Sequence, residues 1–279
     1  MGTLYIVGTP IGHLGDITFR ALETLRAVAL IAAEDTRRAG LLLKHFDIDK
    51  PILSLFEHNE TARIEQVLAA LESGDVALIS EAGMPGLSDP GYALIRAAIE
   101  RGVPITPVPG PTAAVTALVA SGLPTDAFVF LGFLPRRSPD RRRLLHEIAR
   151  ERRTLVAYEA PHRLAESLAD LQVVLGDRSI AVARELTKTH EEIWRGTISG
   201  AREHFSGEVL GEITLVIAGA PESARWDEVE VRAAVEQAMR DGASTTDAAR
   251  EVAALSGWSR RQVYPIAVRL KEKGADEPR

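Results

Sequence analysis

Ser80-Glu81-Ala82-Gly83-Met84-Pro85-Gly86-Leu87-Ser88-Asp89-Pro90-Gly91 comes directly after the apolar run Val76-Ala77-Leu78-Ile79. The run reads as a buried strand, and the Gly- and Pro-rich segment after it reads as a constrained loop at the strand's carboxyl end, where an open α/β sheet carries its ligands. Glycines at 83, 86 and 91 permit positive φ and close backbone approach, whereas Pro85 and Pro90 fix φ and remove N–H donors. Working outward, the same pattern recurs in Gly8-Thr9-Pro10-Ile11-Gly12 and in Pro107-Val108-Pro109-Gly110-Pro111-Thr112, each tied to an apolar run. A phosphate cradle needs converging N–H donors, and the prolines at 10, 85, 90, 109 and 111 subtract them. The loops therefore favour a compact cation such as a sulfonium over a nucleotide phosphate. The bland alternative for each loop is a plain strand-to-helix turn.

The flanking pattern is βα alternation. Strand-like runs near 4–8, 28–33, 52–55, 76–80 and 105–108 are separated by helical stretches such as 18–27, 60–73 and 90–102, which predicts a mostly parallel sheet. Further runs at 128–133, 154–158, 180–183, 192–197 and 213–217 predict a second, mixed sheet. The expected organisation is an α/β domain over 1–120, a second α/β domain over 121–222 and a helical module over 223–279. In that tail, amphipathic stretches Glu228 to Arg240 and Thr245 to Leu255 precede the turn Ser256-Gly257-Trp258 and a basic helix starting at Ser259-Arg260-Arg261. Helix, Gly turn and helix resemble a helix-turn-helix, with Pro265 awkward for an unbroken second helix. A structural cap or dimerisation piece is the alternative reading of this tail.

The 279 residues, 46% of them hydrophobic, can bury real cores. No run matches a membrane span and no basic-then-apolar leader opens the chain, so a cytoplasmic protein is expected. Zero cysteines exclude thiolate metal sites and a Cys nucleophile, and the seven histidines show no paired ligand spacing, so no metal is expected. The net charge of −6 is unhelpful to an RNA partner, yet eight arginines face three acids between Arg136 and Arg153. With 28 Arg to 5 Lys in the chain, this cluster is either a solvated helix face or a phosphate-contacting arm beginning at Arg136 and Arg137.

Taken together, these motifs resemble the S-adenosylmethionine-dependent tetrapyrrole methylase superfamily, most closely its ribosomal RNA small subunit methyltransferase I branch. The resemblance runs from Leu4-Tyr5-Ile6-Val7-Gly8-Thr9-Pro10-Ile11-Gly12 through Ala33-Glu34-Asp35-Thr36-Arg37, Glu57-His58-Asn59-Glu60 and Pro109-Gly110-Pro111. It continues through Ser121-Gly122-Leu123-Pro124-Thr125, Tyr158-Glu159-Ala160-Pro161-His162-Arg163, Ala183-Arg184-Glu185-Leu186-Thr187-Lys188 and Gly211-Glu212-Ile213-Thr214. The branch usually carries Asn, Asp and Thr where this chain has His13, Glu81 and Met84. Met84 cannot supply a hydroxyl contact, and Glu81 reaches one methylene further.

The resemblance implies two α/β domains with S-adenosylmethionine in the cleft between them, a homodimer, and methylation of the ribose 2′-hydroxyl of a cytidine in the decoding region of 16S rRNA, within the small ribosomal subunit. Cofactor-binding candidates on this basis are Pro10, Glu81, Gly83, Met84, Pro85, Gly86, Ser88 and Asp89, with Pro111, Thr112, Tyr158, Leu186, Ala218 and Gly219. RNA-contact candidates are Arg37, His58, Asn59, Arg136, Arg137, His162, Arg163, Arg260 and Arg261. For catalysis, a weakly nucleophilic hydroxyl gains from a nearby proton acceptor or cationic orienter. Lys188 and Glu185 lie in the densest polar run after a predicted strand, and Glu159 lies in the other. Lys188 would act either with its pKa lowered by burial or as a cation orienting phosphate. N-capping competes with function at Asp89, and a strand-to-helix junction competes at Glu159. Two other functions fit the same motifs: methylation of a small, tetrapyrrole-like acceptor, and a catalytically inactive ribosome-binding factor.

Overall fold

The computed structural model describes residues 1–55, 60–221 and 226–275. Five strands, β1 (Leu4–Val7), β2 (Leu30–Ala33), β3 (Ile52–Ser54), β4 (Val76–Ile79) and β5 (Ile105–Val108), form a parallel sheet in the order β3-β2-β4-β1-β5. The connecting helices are α1 (Phe19–Ala27), α2 (Thr36–His45), α3 (Glu60–Ser73) and α4 (Tyr92–Glu100). Local chemistry sets their starts: Thr18 caps α1 by accepting from Ala21 N–H, and Asp35 caps α2 by accepting from Arg37 and Arg38 N–H. Every residue of β4 is buried, as a central parallel strand requires. Separate apolar clusters around Leu25, Ile31 and Val108, and around Leu71, Leu78 and Leu94, fill the space between this sheet and its helices.

Helix α5 (Ala113–Ser121), capped by Thr112 and ended by Gly122 in the left-handed region, leads to the second sheet. That sheet contains β6 (Phe128–Phe133), β7 (Thr154–Glu159), β8 (Ser179–Arg184), β9 (Glu192–Thr197) and β10 (Ile213–Ile217) in the order β6-β7-β10-β8-β9. Only β6 and β7 are parallel among the pairs; β10 runs antiparallel to β7 and β8, and β9 antiparallel to β8. Helices α6 (Ser138–Glu147), α7 (Leu164–Leu175) and α8 (Ile198–His204) accompany it, and a core of Leu145, Leu155, Leu168 and Leu215 forms there. Another cluster unites Ile11 and α5 residues Ala114, Ala117 and Leu118 with Val156, Ala181, Ala183 and Val216. The loop after β1 and helix α5 thus pack against the second sheet, and both sheets belong to one compact unit, Met1–Ala149 with Arg153–Ala218.

The other compact unit comprises Arg150–Arg152 and Gly219–Arg279. Its helices are α9 (Glu228–Arg240), α10 (Thr245–Ser256) and α11 (Arg260–Ala275), packed around Val235, Val252 and Val263. Asp227 and Glu230 form a reciprocal capping box at the start of α9, and Gly257, in the left-handed region, ends α10. Pro265 lies inside α11 and does not end it; the carbonyl that its missing N–H would have served is that of Arg261, in the exposed first turn. Among the described residues no helix is long and apolar enough to cross a membrane.

Candidate active site

The Gly-Pro loops meet at the carboxyl edge of the parallel sheet. Thr9 N–H donates to Gly83 O at 2.9 Å and Gly83 N–H to Thr9 O at 3.1 Å, so the loops after β1 and β4 are paired. Gly83, Gly86 and Gly91 have φ of +82°, +79° and +121°, the left-handed conformations that the sequence provided for. Facing them are the carboxyl ends of β7 and β8 and, because β10 is antiparallel, its amino end.

A cavity of about 350 Å³ opens between these edges, lined by Glu34, Glu81, Met84, Asp89, Tyr158 and Thr214 among others. Its lining is acidic: Glu34, Glu81, Asp89, Glu159 and Glu212 stand against a single lining cation, Arg38, whose Nη1 is 2.8 Å from Glu81 Oε2, while Glu159 pairs with Arg163 and Glu212 with Lys188. Burial first, then repulsion from Asp89 and Glu81, pushes Glu34 up to about 7. Burial likewise raises Asp89 to about 6, with Glu81 adding repulsion and a hydrogen bond to Ser80 opposing it. For Glu34 the attraction of Arg38 is the weakest of the opposing influences, and a cationic ligand would add to it. Tyr158 closes another wall, its ring edge-on to Phe130 and Phe133 and its hydroxyl accepting from Ala114 N–H at 3.3 Å.

At the adjoining edge, Lys188 Nζ lies 2.8 Å from Glu185 Oε1 and 3.3 Å from Glu212 Oε2. Partial burial would lower its pKa, but the carboxylates of Glu185 and Glu212 outweigh this and raise it. Lys188 is therefore held as a cation, which favours the orienting role over the alternative of a pKa lowered by burial. Glu185 is held below its ordinary value: desolvation opposes this, and Lys188 and the N–H of Glu212 overcome it.

Of the residues read from sequence, Glu81, Gly83, Met84, Asp89, Thr112, Tyr158 and Glu159 line the larger cavity. Pro10 and Lys188, with Glu81 again, line a smaller neighbour. Pro111 abuts Gly83 from behind, its carbonyl 3.4 Å from where a Cβ would stand there. Leu186 is buried in the apolar cluster with α5. Pro85, Gly86 and Ser88 shape the central loop and are not among the lining residues of either cavity.

Ala218 succeeds the far end of β10, its N–H donating to Ser179 O, so antiparallel pairing takes it and the adjacent Gly219 away from the cleft edge; Gly211, Glu212, Ile213 and Thr214 line the cavity instead. Glu159 is buried, accepts from Ala160 N–H and Ser167 Oγ, and is 2.5 Å from Arg163 Nη2, contacts that brace the corner after β7. Arg163, in that pair and donating to Leu134 O, is mostly buried. Arg37 projects into solvent, its side chain 87% exposed and paired with Asp35, whereas Arg38 lines both cavities. His162 is exposed after β7, Arg136 and Arg137 are exposed before α6, and Arg260 and Arg261 are exposed at the start of α11. His58 and Asn59 lie outside the described residues. Glu34 shares in the sequence the ambiguity of Asp89 between capping and function, while Glu212 was not chosen as a site residue; the signal available for it was its position just before a strand.

Residues 3–201 match the family model described as Tetrapyrrole (Corrin/Porphyrin) Methylases. A protein named ribosomal RNA small subunit methyltransferase I from Synechocystis sp. is 48% identical over 279 residues, covering 98% of this chain and 100% of its own. Its namesake from Halalkalibacterium halodurans is 45% identical, covering 95% and 94%. That of Thermotoga maritima is 50% identical over 221 residues, covering 78% of this chain and 99% of its own. Among solved structures, uroporphyrin-III-C-methyltransferase from Thermus thermophilus has a TM-score of 0.54 at 21% identity, over 77% of this chain and 94% of that one. Diphthine synthase has a TM-score of 0.60 at 15% identity, over 78% and 90%. At such identities these two show a shared fold alone.

Proposed function

This chain belongs to the tetrapyrrole methylase family, in the branch of the ribosomal RNA small subunit methyltransferases I, and on that premise we propose that it is an S-adenosylmethionine-dependent rRNA methyltransferase acting on the ribose 2′-hydroxyl of a cytidine in the decoding region of 16S rRNA. The observation that carries the cofactor reading is the acid excess of the larger cavity, where Glu34, Glu81 and Asp89, three of its five lining carboxylates, share one arginine. Three carboxylates, two of them destabilised by mutual repulsion and burial, suit a ligand bearing positive charge. Apolar contacts from Ile11, Met84, Leu87 and Phe133 suit an adenosine and methionyl body. Glu34, Glu81 and Asp89 would hold the charged end of the cofactor there, and the cofactor would supply an electrophilic methyl group for the acceptor hydroxyl.

The chain's own residues position and screen. Aligning two reactants can contribute roughly 7 to 11 kcal/mol. Lys188, fixed as a cation at the adjoining edge, orients the acceptor, and Glu185 holds Lys188. The exposed Arg136, Arg137, Arg260 and Arg261 supply phosphate contacts, and residues 223–279 act as an RNA-docking module. The chain works as a homodimer in the cytoplasm. The test is calorimetry with S-adenosylmethionine and then transfer of a labelled methyl group to small subunits lacking the modification. Binding with label in a ribose-methylated cytidine supports the reading. Binding without transfer points to a small-molecule acceptor, and no binding points to an inactive factor.

A further inference from the structure

Beside the larger cavity lies a second of about 280 Å³, and the two share Ile11, Arg38, Glu81, Ala82 and Glu212. The Arg38–Glu81 ion pair stands in this common wall. The charge of the second cavity is balanced, with Arg38 and Lys188 offset by Glu81 and Glu212, while Leu14, Leu42 and Ile79 provide apolar surface. A phosphate would meet two carboxylates here and a cation two basic side chains. A neutral ligand with one apolar face and several hydroxyls meets neither penalty.

Backbone strain marks the same cavity. Glu185 and Thr187 have φ of +52° and +64°, and a β-branched residue in the left-handed region is an outlier that costs about 1–3 kcal/mol. Thr187 Oγ1 accepts from His13 N–H at 3.0 Å, and Thr187 N–H donates to Glu191 Oε2 at 2.6 Å. A Cβ at residue 12 would stand 2.5 Å from Thr187 Oγ1 and 2.6 Å from Lys188 Cγ, so only glycine lets this turn seat against the loop after β1. The strained turn delivers Lys188 to the wall of the second cavity with its ammonium already anchored.

We propose that the second cavity is the acceptor subsite: it takes one unstacked nucleoside of the RNA, base against Leu14 and Leu42, ribose toward the Arg38–Glu81 partition and Lys188. Single-stranded RNA offers such splayed nucleosides, with phosphates left outside the pocket. The proposal deepens the function given above and rests on the larger cavity being the cofactor site.

Leu14→Trp and Leu42→Trp fill the cavity from two walls, both at partly exposed positions. The full-length variants and the parent chain are compared for S-adenosylmethionine affinity by calorimetry and for methyl transfer to unmodified small subunits. Each substitution is expected to lower transfer at least tenfold and leave cofactor Kd within about twofold. Parent-like transfer by both variants overturns the subsite. A parallel loss of cofactor affinity also overturns it, making the space an annex of the cofactor cavity. A parent chain that binds cofactor but transfers nothing defeats the rRNA reading itself, and the nucleoside with it.

Discussion

Glu34 sits at the end of β2 with a pKa near 7, raised by burial and then by Asp89 and Glu81. A carboxylate whose folded value lies above its unfolded one binds its proton more tightly when folded, so stability falls as pH rises from about 4.5 to 7. With half of the group open to solvent the cost at pH 8 is on the order of 1 kcal/mol, or roughly 2–4 °C in Tm. The ligand-free protein should therefore melt higher at pH 6 than at pH 8, and Glu34→Gln should reduce that difference in a thermal scan. Asp89, raised to about 6, adds a loss of the same sign that remains in the Gln variant, whereas Glu185, Glu192, Asp170 and Asp177 are held low and lose their contributions only in the acid range. Cofactor affinity should run the opposite way, weaker at pH 6 than at pH 8, with the Gln variant about tenfold weaker at pH 8 by calorimetry. Lys188→Ala should lower methyl transfer by ~10²–10³ while leaving cofactor Kd unchanged, the reduction expected of one fixed electrostatic group; equal losses in both quantities would place Lys188 in the cofactor site. At this scale the sequence was only partly legible. Asp89 and Lys188 stood out because they sit in Gly-Pro-rich or polar loops, but the role of Glu34 depends on carboxylates 47 and 55 positions away in the chain.

Among the elements, α6 shows why the arginine-rich stretch could not be read as one surface. Arg141 is fully buried, with Nε donating to Asp170 Oδ2 at 2.8 Å, while Arg142 and Ser138 donate to Oδ1. Four residues separate it from the equally buried Leu145, so it occupies a core position in helical phase, disguised by its charge. Its Nη1 also donates to Pro135 O and Arg136 O, which fixes the segment presenting Arg136 and Arg137. Asp170→Asn leaves a buried guanidinium without its counter-ion and should cost about 3–5 kcal/mol in urea denaturation, whereas Arg141→Met with Asp170→Leu should recover most of that deficit. Strand positions were legible from apolar runs: β5, β6, β9 and β10 begin and end where the runs do. Strand direction was not, since nothing in Ile213-Thr214-Leu215-Val216-Ile217 distinguishes an antiparallel strand, so which end of β10 meets the cleft could not be read.

For the whole molecule, alternation and then a change of pattern near Pro221 made the α/β class and the helical tail readable, because each rests on periodicity and local caps. What periodicity cannot carry is which strand ends share a cavity; that required the packing of α5 and the loop after β1 against the second sheet. The second unit, with Arg260 and Arg261 exposed on α11, belongs to the same scale. Replacing both arginines by Ala should weaken binding to RNA and reduce the salt slope by about one for each phosphate no longer neutralised, with cofactor affinity unchanged. An unaltered salt slope in filter binding would make that unit a structural cap. The central claim is that the acid cavity presents a methyl group to rRNA. It is tested most directly by incubating the protein with labelled S-adenosylmethionine and small subunits lacking the modification, then mapping the label by nuclease digestion. Label confined to one ribose-methylated cytidine of the decoding region is the result predicted; label on a base, or none despite measurable cofactor binding, would contradict it.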